Sequence, residues 1–186
     1  MLTMVRKGEF VNATWEEVDF DNAKWTIPKD RMKTGKPHVV YLSNQALDIL
    51  VTFKTCFSAS RYLHPGRYDM DTPISNATLN KVIEVAVNAI KSKGEDFESF
   101  TVHDLRRTAS SLLNEAGFNR DWVEKCLAHE EGSIRKVYNK AEYSEQRRVM
   151  LQAWADMIDA WHRGEGVREI VRAAKIAAAD VSMELN

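Results

Sequence analysis

The stretch Thr101-Val102-His103-Asp104-Leu105-Arg106-Arg107-Thr108-Ala109-Ser110 predicts the start of a helix. Thr101 with Asp104 three positions later is the pattern of a capping box, in which each side chain bonds a backbone N–H of the other residue. Gly117 predicts the end of the helix, because glycine readily adopts the left-handed backbone that closes a helical turn. We therefore expect one continuous helix between these two signals.

Residue types that suit phosphodiester chemistry stand on this helix and on either side of it. His103 and Arg106 are three positions apart, so they project from the same helix face and can reach one phosphate. Downstream, Leu127-Ala128-His129 supplies a second histidine, and Tyr138 follows nine positions later. Upstream, Arg6 supplies a second arginine. The ordered set is uncommon, whereas each of its members alone is common.

Attack on a DNA phosphodiester builds negative charge on the two non-bridging oxygens of a five-coordinate phosphorus. Guanidinium groups suit this charge because they are always protonated and grip two oxygens at once, which makes Arg6 and Arg106 the candidates. His103 can donate to an oxygen or accept the nucleophile's proton. A lysine of the segment Met32-Lys33-Thr34-Gly35-Lys36-Pro37-His38 can protonate the departing 5′-oxygen. Tyr138 is the candidate nucleophile, since an aryl phosphate remains a good leaving group.

Each of these residues has a simpler interpretation when it is taken alone. A single tyrosine in a helix is usually core or surface, and a lysine on a turn, such as Lys33, is most simply a solvated charge. His129 can stabilise the negative pole at the end of a helix. The functional interpretation depends on the whole set occurring in one order.

Three short segments rich in tryptophan, valine, isoleucine and tyrosine predict a three-stranded antiparallel meander, over residues 13–18, 24–27 and 38–42. Before them, residues 2–10 have no cap and are typical of the end of a helix whose start is missing. We therefore expect that the chain is a piece of a longer protein.

Apolar residues at helical spacing predict most of the remaining structure as helix. The predicted helices lie near residues 47–57, 79–90, 119–127 and 150–161, with a further one opened by Ser133 that carries Tyr138. The fold class is thus α+β, mainly α, with a small three-stranded antiparallel sheet beside a helical body. The predicted domain covers residues 1–163. An amphipathic helical tail, residues 164–186, is expected to pack on its own domain, and the alternative is docking on a neighbouring protomer.

Composition and charge narrow the function further. The 186 residues are 44% hydrophobic and 28% charged, with a formal net charge of −1, which suits an ordinary globular protein. Basic residues are nevertheless clustered near Lys33, at Arg106-Arg107 and around Tyr138, which predicts a basic cleft on a near-neutral body. Apolar runs are too short to span a bilayer, and no signal peptide is indicated. No clustered Asp/His ligand set is present, which disfavours a metal-dependent phosphatase or nuclease.

The ordered motifs resemble those of the tyrosine recombinase catalytic domain, particularly in phage- and genomic-island-type integrases, over about residues 2–161. Arg6-Lys7-Gly8-Glu9 resembles the first arginine box, and the hairpin at residues 32–38 resembles the one whose catalytic lysine falls on Lys33. His103-Asp104-Leu105-Arg106 is similar to the HxxR box. Leu127-Ala128-His129 is similar to the Leu-Gly-His box, with alanine in place of glycine. Tyr138 stands at the spacing of the nucleophile.

The resemblance implies an enzyme that recombines DNA at specific sites through a 3′-phosphotyrosyl intermediate, with no metal and no cofactor. The catalytic residues it implies are Arg6, Lys33, His103, Arg106, His129 and the nucleophile Tyr138, with Lys36 as a competitor for the lysine role. The candidate DNA-binding residues are Lys36, Arg107, Arg135 and Lys136. The implied partners are double-stranded DNA attachment sites and, in a full-length protein, a homotetramer on DNA. This chain is expected to be monomeric in solution and to act in the cytoplasm of a bacterial host.

Two other functions remain open at this point. A type IB topoisomerase shares the chemistry, although the compact two-histidine pattern and the short chain favour the recombinase. A decayed integrase that binds DNA without cutting it is the second alternative. Loss of a catalytic residue would indicate decay, and each expected residue type is present.

Overall fold

The computed structural model describes residues 1–129 and 141–184. Within them, a three-stranded antiparallel sheet lies beside a body of seven helices, which confirms the predicted fold class. The strands are β1 (Val18–Asp19), β2 (Lys24–Ile27) and β3 (His38–Tyr41). The helices are α1 (Lys7–Val11), α2 (Asn44–Cys56), α3 (Asn76–Lys91), α4 (Val102–Glu115), α5 (Arg120–Cys126), α6 (Ser144–His162) and α7 (Arg168–Glu184). The helix predicted from Ser133 lies outside the described residues.

The sheet runs in the order β1-β2-β3, with Trp25 opposite Val18 on one side and Val40 on the other. The predicted strand over residues 13–18 is wrong, because Trp15–Glu17 forms a 3₁₀ turn and pairing begins only at Val18. A long-range contact explains the difference: the backbone N–H of Trp15 donates to the Arg61 carbonyl at 3.0 Å. Backbone held by a distant loop is not free to extend the sheet.

The predicted capping box of α4 is confirmed. The Asp104 N–H donates to Thr101 Oγ1 at 3.3 Å, and the Thr101 N–H donates to Asp104 Oδ2 at 2.9 Å. Gly117 follows the helix with φ +77°, the left-handed conformation expected of a terminating glycine. These local signals place His103 and Arg106 on the first turns of α4.

The N-terminal segment is helical only from Lys7 onward. Met4 has φ +54°, and Arg6 is extended and occupies the cap position of α1. A left-handed residue interrupts a right-handed helix, so residues 2–6 do not continue α1 toward the N-terminus. The expectation of an uncapped helix end over residues 2–10 is therefore wrong, because a short helix begins at Lys7 there with its own capping box.

Two apolar cores hold the helices and the sheet together. The first lies between α4, α5 and α6 and includes Leu113, Val123 and Trp154, while the second lies between the sheet and α2. Helix α7 packs against α6 and adds Ala174 to the first core, and Ala178 of the same helix is also buried. The tail thus packs on its own domain, as expected. Among the described helices, none has an apolar stretch long enough to cross a bilayer.

Candidate active site

A cleft of about 510 Å³ lies where the starts of α1 and α4 meet α3 and the end of α5. Four of the predicted catalytic residues line it, namely Arg6, His103, Arg106 and His129. The rest of its wall consists of Val5, Lys7, Gly8, Asn80, Thr101 and Val102. Segments far apart in sequence therefore bring two guanidinium groups and two imidazoles to a single opening.

Arg106 is the most enclosed of these cations, with 7% of its surface exposed. Its Nη1 donates to the Met4 carbonyl and its Nη2 to the Leu127 carbonyl, which fixes the guanidinium between the N-terminal segment and the end of α5. Burial, and then the nearby charge of Arg6, lowers the pKa of Arg106 to about 10. The group therefore stays protonated at neutral pH. Two of its five N–H donors are used in these two bonds, and three remain.

Arg6 is held by a carboxylate that the sequence interpretation did not assign. Arg6 Nη1 donates to Glu9 Oε1 at 2.8 Å, and the backbone N–H of Arg6 donates to Glu9 Oε2 at 2.7 Å. The second guanidinium nitrogen, Nη2, donates to the Ala128 carbonyl at 3.2 Å. Glu9 is 5% exposed. A glutamate three positions after a cap is a recognisable signal, although arginine is an unusual residue at the cap itself.

Two residues in the left-handed conformation direct their backbone carbonyls toward the arginines. Met4 has φ +54° and its carbonyl accepts from Arg106. Ala128 has φ +45° and its carbonyl accepts from Arg6. Ala128 stands where the similar motif has glycine, the residue that adopts this conformation without a steric penalty. The replacement keeps the turn, since Ala128 adopts the left-handed conformation itself.

The two histidines enter the cleft differently. His103 is exposed on the first turn of α4, on the same face as Arg106, as predicted. His129 has a hydrogen bond between Nδ1 and Glu124 Oε2 of 2.8 Å, so Nε2 is the ring nitrogen left to meet a ligand. Glu124 was not assigned from the sequence, because no capping or periodic signal connects it to His129.

Other predicted residues lie away from this cleft or outside the described residues. Lys33 and Lys36 are exposed on the loop between β2 and β3, where Gly35 has φ +65°, and neither is among the described residues that line the cleft. Arg107 is also outside the cleft, with 72% of its side chain exposed and a nitrogen 3.9 Å from Asp104. Tyr138, Arg135 and Lys136 lie outside the described residues.

The cleft suits an anionic ligand. Its charged lining consists of cations and ionisable imidazoles, and the carboxylates of Glu9 and Glu124 are paired with Arg6 and His129 respectively. Within residues 1–129 and 141–184, no cluster of three or more His, Cys, Asp or Glu residues could hold a metal ion. Fixed guanidinium groups in a partly enclosed site can stabilise charge that develops on phosphate oxygens.

Comparison with known proteins gives consistent similarities. The family model described as "Phage integrase family" matches residues 1–145. The chain is 38% identical to Prophage integrase IntA of Escherichia coli K12 over 165 residues, which is 88% of this chain and 38% of that protein. It is 39% identical to Prophage integrase IntZ of the same organism over 168 residues, 89% of this chain and 39% of that protein. The integrase of Shigella phage Sf6 is 34% identical over 160 residues, 84% of this chain and 39% of that protein.

A solved structure shares the fold. The crystal structure of XerA recombinase superposes with a TM-score of 0.56 and 21% identity, over 81% of this chain and 53% of that chain. The chain spans about two fifths of the length of the curated relatives that it matches.

Proposed function

This chain belongs to the phage integrase family, and on that premise we propose that it cleaves and rejoins DNA strands at specific sites through a covalent 3′-phosphotyrosyl intermediate. The proposal rests on one observation: Arg6, His103, Arg106 and His129 line a single cleft although they come from three separate segments of the chain. The prophage integrases among its relatives support DNA integration by a mobile element as the biological setting.

Each predicted catalytic residue has a role that follows from its chemistry. The phenol oxygen of Tyr138 attacks phosphorus, the bond from phosphorus to the 5′-oxygen breaks, and the leaving oxygen takes a proton. Arg6 and Arg106 hold the non-bridging oxygens, where charge increases in the transition state. His103 and His129 donate to the same oxygens or move the nucleophile's proton. Lys33 protonates the leaving 5′-oxygen, which is the role that its resemblance to the family's catalytic lysine implies.

The reaction needs no external energy source, because the phosphotyrosyl bond replaces the broken phosphodiester. Attack by a 5′-hydroxyl on the phosphotyrosyl group reverses the first step and rejoins a strand. Its substrates are accordingly double-stranded DNA attachment sites. We further propose that a longer protein containing this chain acts on DNA as a homotetramer, in the cytoplasm of a bacterial host.

Covalent capture tests the proposal directly. A pool of duplexes with randomised sequence around a nick is incubated with the chain, and adducts are separated under denaturing conditions. The nick lets the short cleaved strand diffuse away, so the adduct accumulates. We expect wild-type protein to form adducts whose modified residue, mapped by mass spectrometry, is Tyr138. Tyr138→Phe removes one oxygen and little volume and should form none.

Tyr143→Phe is the matched control, because it makes the same change five positions away. It should form adducts as wild type does. An adduct on Tyr143 would overturn the assignment of the nucleophile. Wild-type protein that binds DNA but never forms an adduct would instead support the DNA-binding-only alternative. Relaxation of supercoiled plasmid without sequence preference would support the topoisomerase.

A further inference from the structure

We propose that Lys7 and Asn80 form a second phosphate-binding subsite in the cleft, which holds the DNA phosphodiester adjacent to the one that Arg6 and Arg106 hold. This inference rests on the proposed function, since it assumes a DNA strand as ligand. It assigns a binding role to two residues that the recombinase motifs do not include. The subsite sets how the strand lies in the cleft and takes no part in bond breaking.

Arg6 and Lys7 diverge although they are neighbours in sequence. Arg6 is extended at the cap position, whereas Lys7 is the first helical residue of α1. Arg6 reaches the Ala128 carbonyl at 3.2 Å, on the side of the cleft where α5 ends. Lys7 Nζ instead lies 3.3 Å from Asn80 Oδ1, on the part of the cleft wall that α3 forms. These contacts give the cleft two cationic ends: Arg6 and Arg106 are both held by the turn that follows α5, and Lys7 is held by α3.

The charge of Lys7 is not neutralised in the way that the charge of Arg6 is. Arg6 is paired with the buried carboxylate of Glu9 at 2.8 Å. Lys7 is oriented by a neutral amide, and it occurs in no ion pair among the described residues. An amide oxygen directs an ammonium group without cancelling its charge, and the amide nitrogen of Asn80 adds N–H donors beside it. An ammonium group with amide donors is a suitable set for a phosphate group.

Gly8 leaves open space in the cleft. It lines the cleft inside α1, and a Cβ atom built on it would meet no atom within 4 Å. Its φ is not in the left-handed region, so neither packing nor backbone conformation requires glycine here. Glycine within a helix costs about 1 kcal/mol relative to alanine. Open space in a cleft that also contains both cationic groups fits a strand that passes from one end to the other.

A DNA strand matches this arrangement better than a small anion does. Each phosphodiester carries one negative charge, and successive phosphodiesters repeat along the strand. A single phosphate bound at the Arg6 end leaves Lys7 to meet the next one. Lys7 therefore adds one phosphate contact, and each such contact releases condensed counterions.

The salt dependence of binding measures that contact. The probe is a short duplex of mixed sequence, titrated with the full chain at several salt concentrations. Lys7→Met should reduce the slope of log Kobs against log salt by about 0.9 relative to wild type. Lys7→Arg should restore the slope, because it restores the charge. Asn80→Asp should weaken binding, because the new carboxylate pairs with Lys7 and repels the strand.

Lys91→Met is the matched control. It removes the same charge from the far end of α3, outside the cleft, and should leave the slope unchanged. An unchanged slope in Lys7→Met, or an equal decrease in both variants, would overturn the subsite. Thermal unfolding of each variant shows whether a change in DNA binding comes from a lost phosphate contact or from unfolded protein. If Lys7→Met does not fold, Asn80→Asp and Lys7→Arg still test the subsite.

Covalent capture on nicked duplexes separates this inference from the proposed function. Lys7→Met should raise the DNA concentration for half-maximal adduct formation by a larger factor than it lowers the rate at saturation. Adduct formation with no effect of Lys7→Met on the slope would refute the subsite alone. A reduced slope in a chain that forms no adduct would refute the proposed function alone. Wild-type binding that does not depend on salt would refute both.

Discussion

The guanidinium of Arg106 donates to the backbone carbonyl of Leu127, 21 positions further along the chain. This bond connects the start of α4 to the residue that follows α5. The next residue, Ala128, offers its own carbonyl to Arg6 at 3.2 Å. One short turn of backbone therefore holds both arginines, and His129 continues directly from it. The positions of three cationic or ionisable groups in the cleft depend on this turn.

Replacement of Arg106 should affect both the rate of adduct formation and stability. Arg106→Ala removes a fixed positive charge from the site of charge development, so the rate should fall at least 10²- to 10³-fold, on the order of the loss for one oxyanion donor. The Met4 and Leu127 carbonyls lose their donor, at a cost of about 1–3 kcal/mol. Single-turnover capture and urea unfolding measure the two effects.

Arg106→Lys distinguishes charge from geometry. Lysine keeps the positive charge but lacks the planar fork that reaches two carbonyls and still presents N–H groups to a ligand. We expect a slow enzyme with a smaller loss of stability than Arg106→Ala. An Arg106→Lys variant as fast as wild type would show that a point charge is sufficient at this position.

Ala128→Gly should stabilise the protein. Ala128 has φ +45°, and the left-handed conformation costs an L-residue about 1–2 kcal/mol. Glycine avoids this cost but loses more backbone entropy on folding, so we expect a net gain of about 0.5–1 kcal/mol in the free energy of unfolding. The matched control is Ala116→Gly, because Ala116 has an ordinary φ of −65° and should lose stability. Equal losses of stability in Ala128→Gly and Ala116→Gly would show that the left-handed backbone of Ala128 is not strained.

Stability should decrease as the solution is acidified from pH 6.5 to pH 4. Burial lowers the pKa of His64 to about 4, and burial followed by the charge of Arg147 lowers the pKa of His38 to about 4. Between pH 6.5 and pH 4 the unfolded chain binds protons at these histidines and the folded chain does not. The free energy of unfolding therefore decreases as the pH falls from 6.5 to 4, by up to about 1.4 kcal/mol per pH unit for each histidine.

His64→Phe should reduce that dependence. The His64 ring packs against Phe10 and Phe53, with ring centroids 4.1 and 5.3 Å apart, so another aromatic ring suits the site. The variant loses one titrating group, and its unfolding free energy should depend less steeply on pH over this range. Urea unfolding at pH 7, 6 and 5 measures the dependence. An unchanged slope would mean that His64 is protonated in the folded protein.

Packing of α7 on its own domain can be tested at one buried position. Ala178 is 1% exposed, whereas its neighbour Ala177 is exposed. Ala178→Glu places a charge and extra volume against α6, so α7 should detach or the protein should lose several kcal/mol of stability. Ala177→Glu should have little effect. Hydrogen exchange of the α7 amides reports detachment, and equal exchange in both variants would argue against the packing.

Most local structure was predictable because local forces determine it. The capping box of Thr101 and Asp104 acts within one helical turn, and the spacing of His103 and Arg106 decides their shared face. The strand predicted over residues 13–18 was wrong because β propensity does not include the Trp15 bond to the distant Arg61 carbonyl. Propensity is a weak guide where a long-range contact competes with it.

The sequence by itself determined the order of the motifs, the fold class and the chemical kinds of group available for phosphodiester attack. Only the tertiary structure decided that Glu9 and Glu124 hold Arg6 and His129, that backbone carbonyls hold Arg106, and that Lys7 faces α3 while Lys33 lies outside the cleft. The physical reason is range: capping and helical periodicity act over three or four residues. The carbonyl and carboxylate partners of the arginines are brought near only when the two cores pack and the left-handed turns at Met4 and Ala128 form.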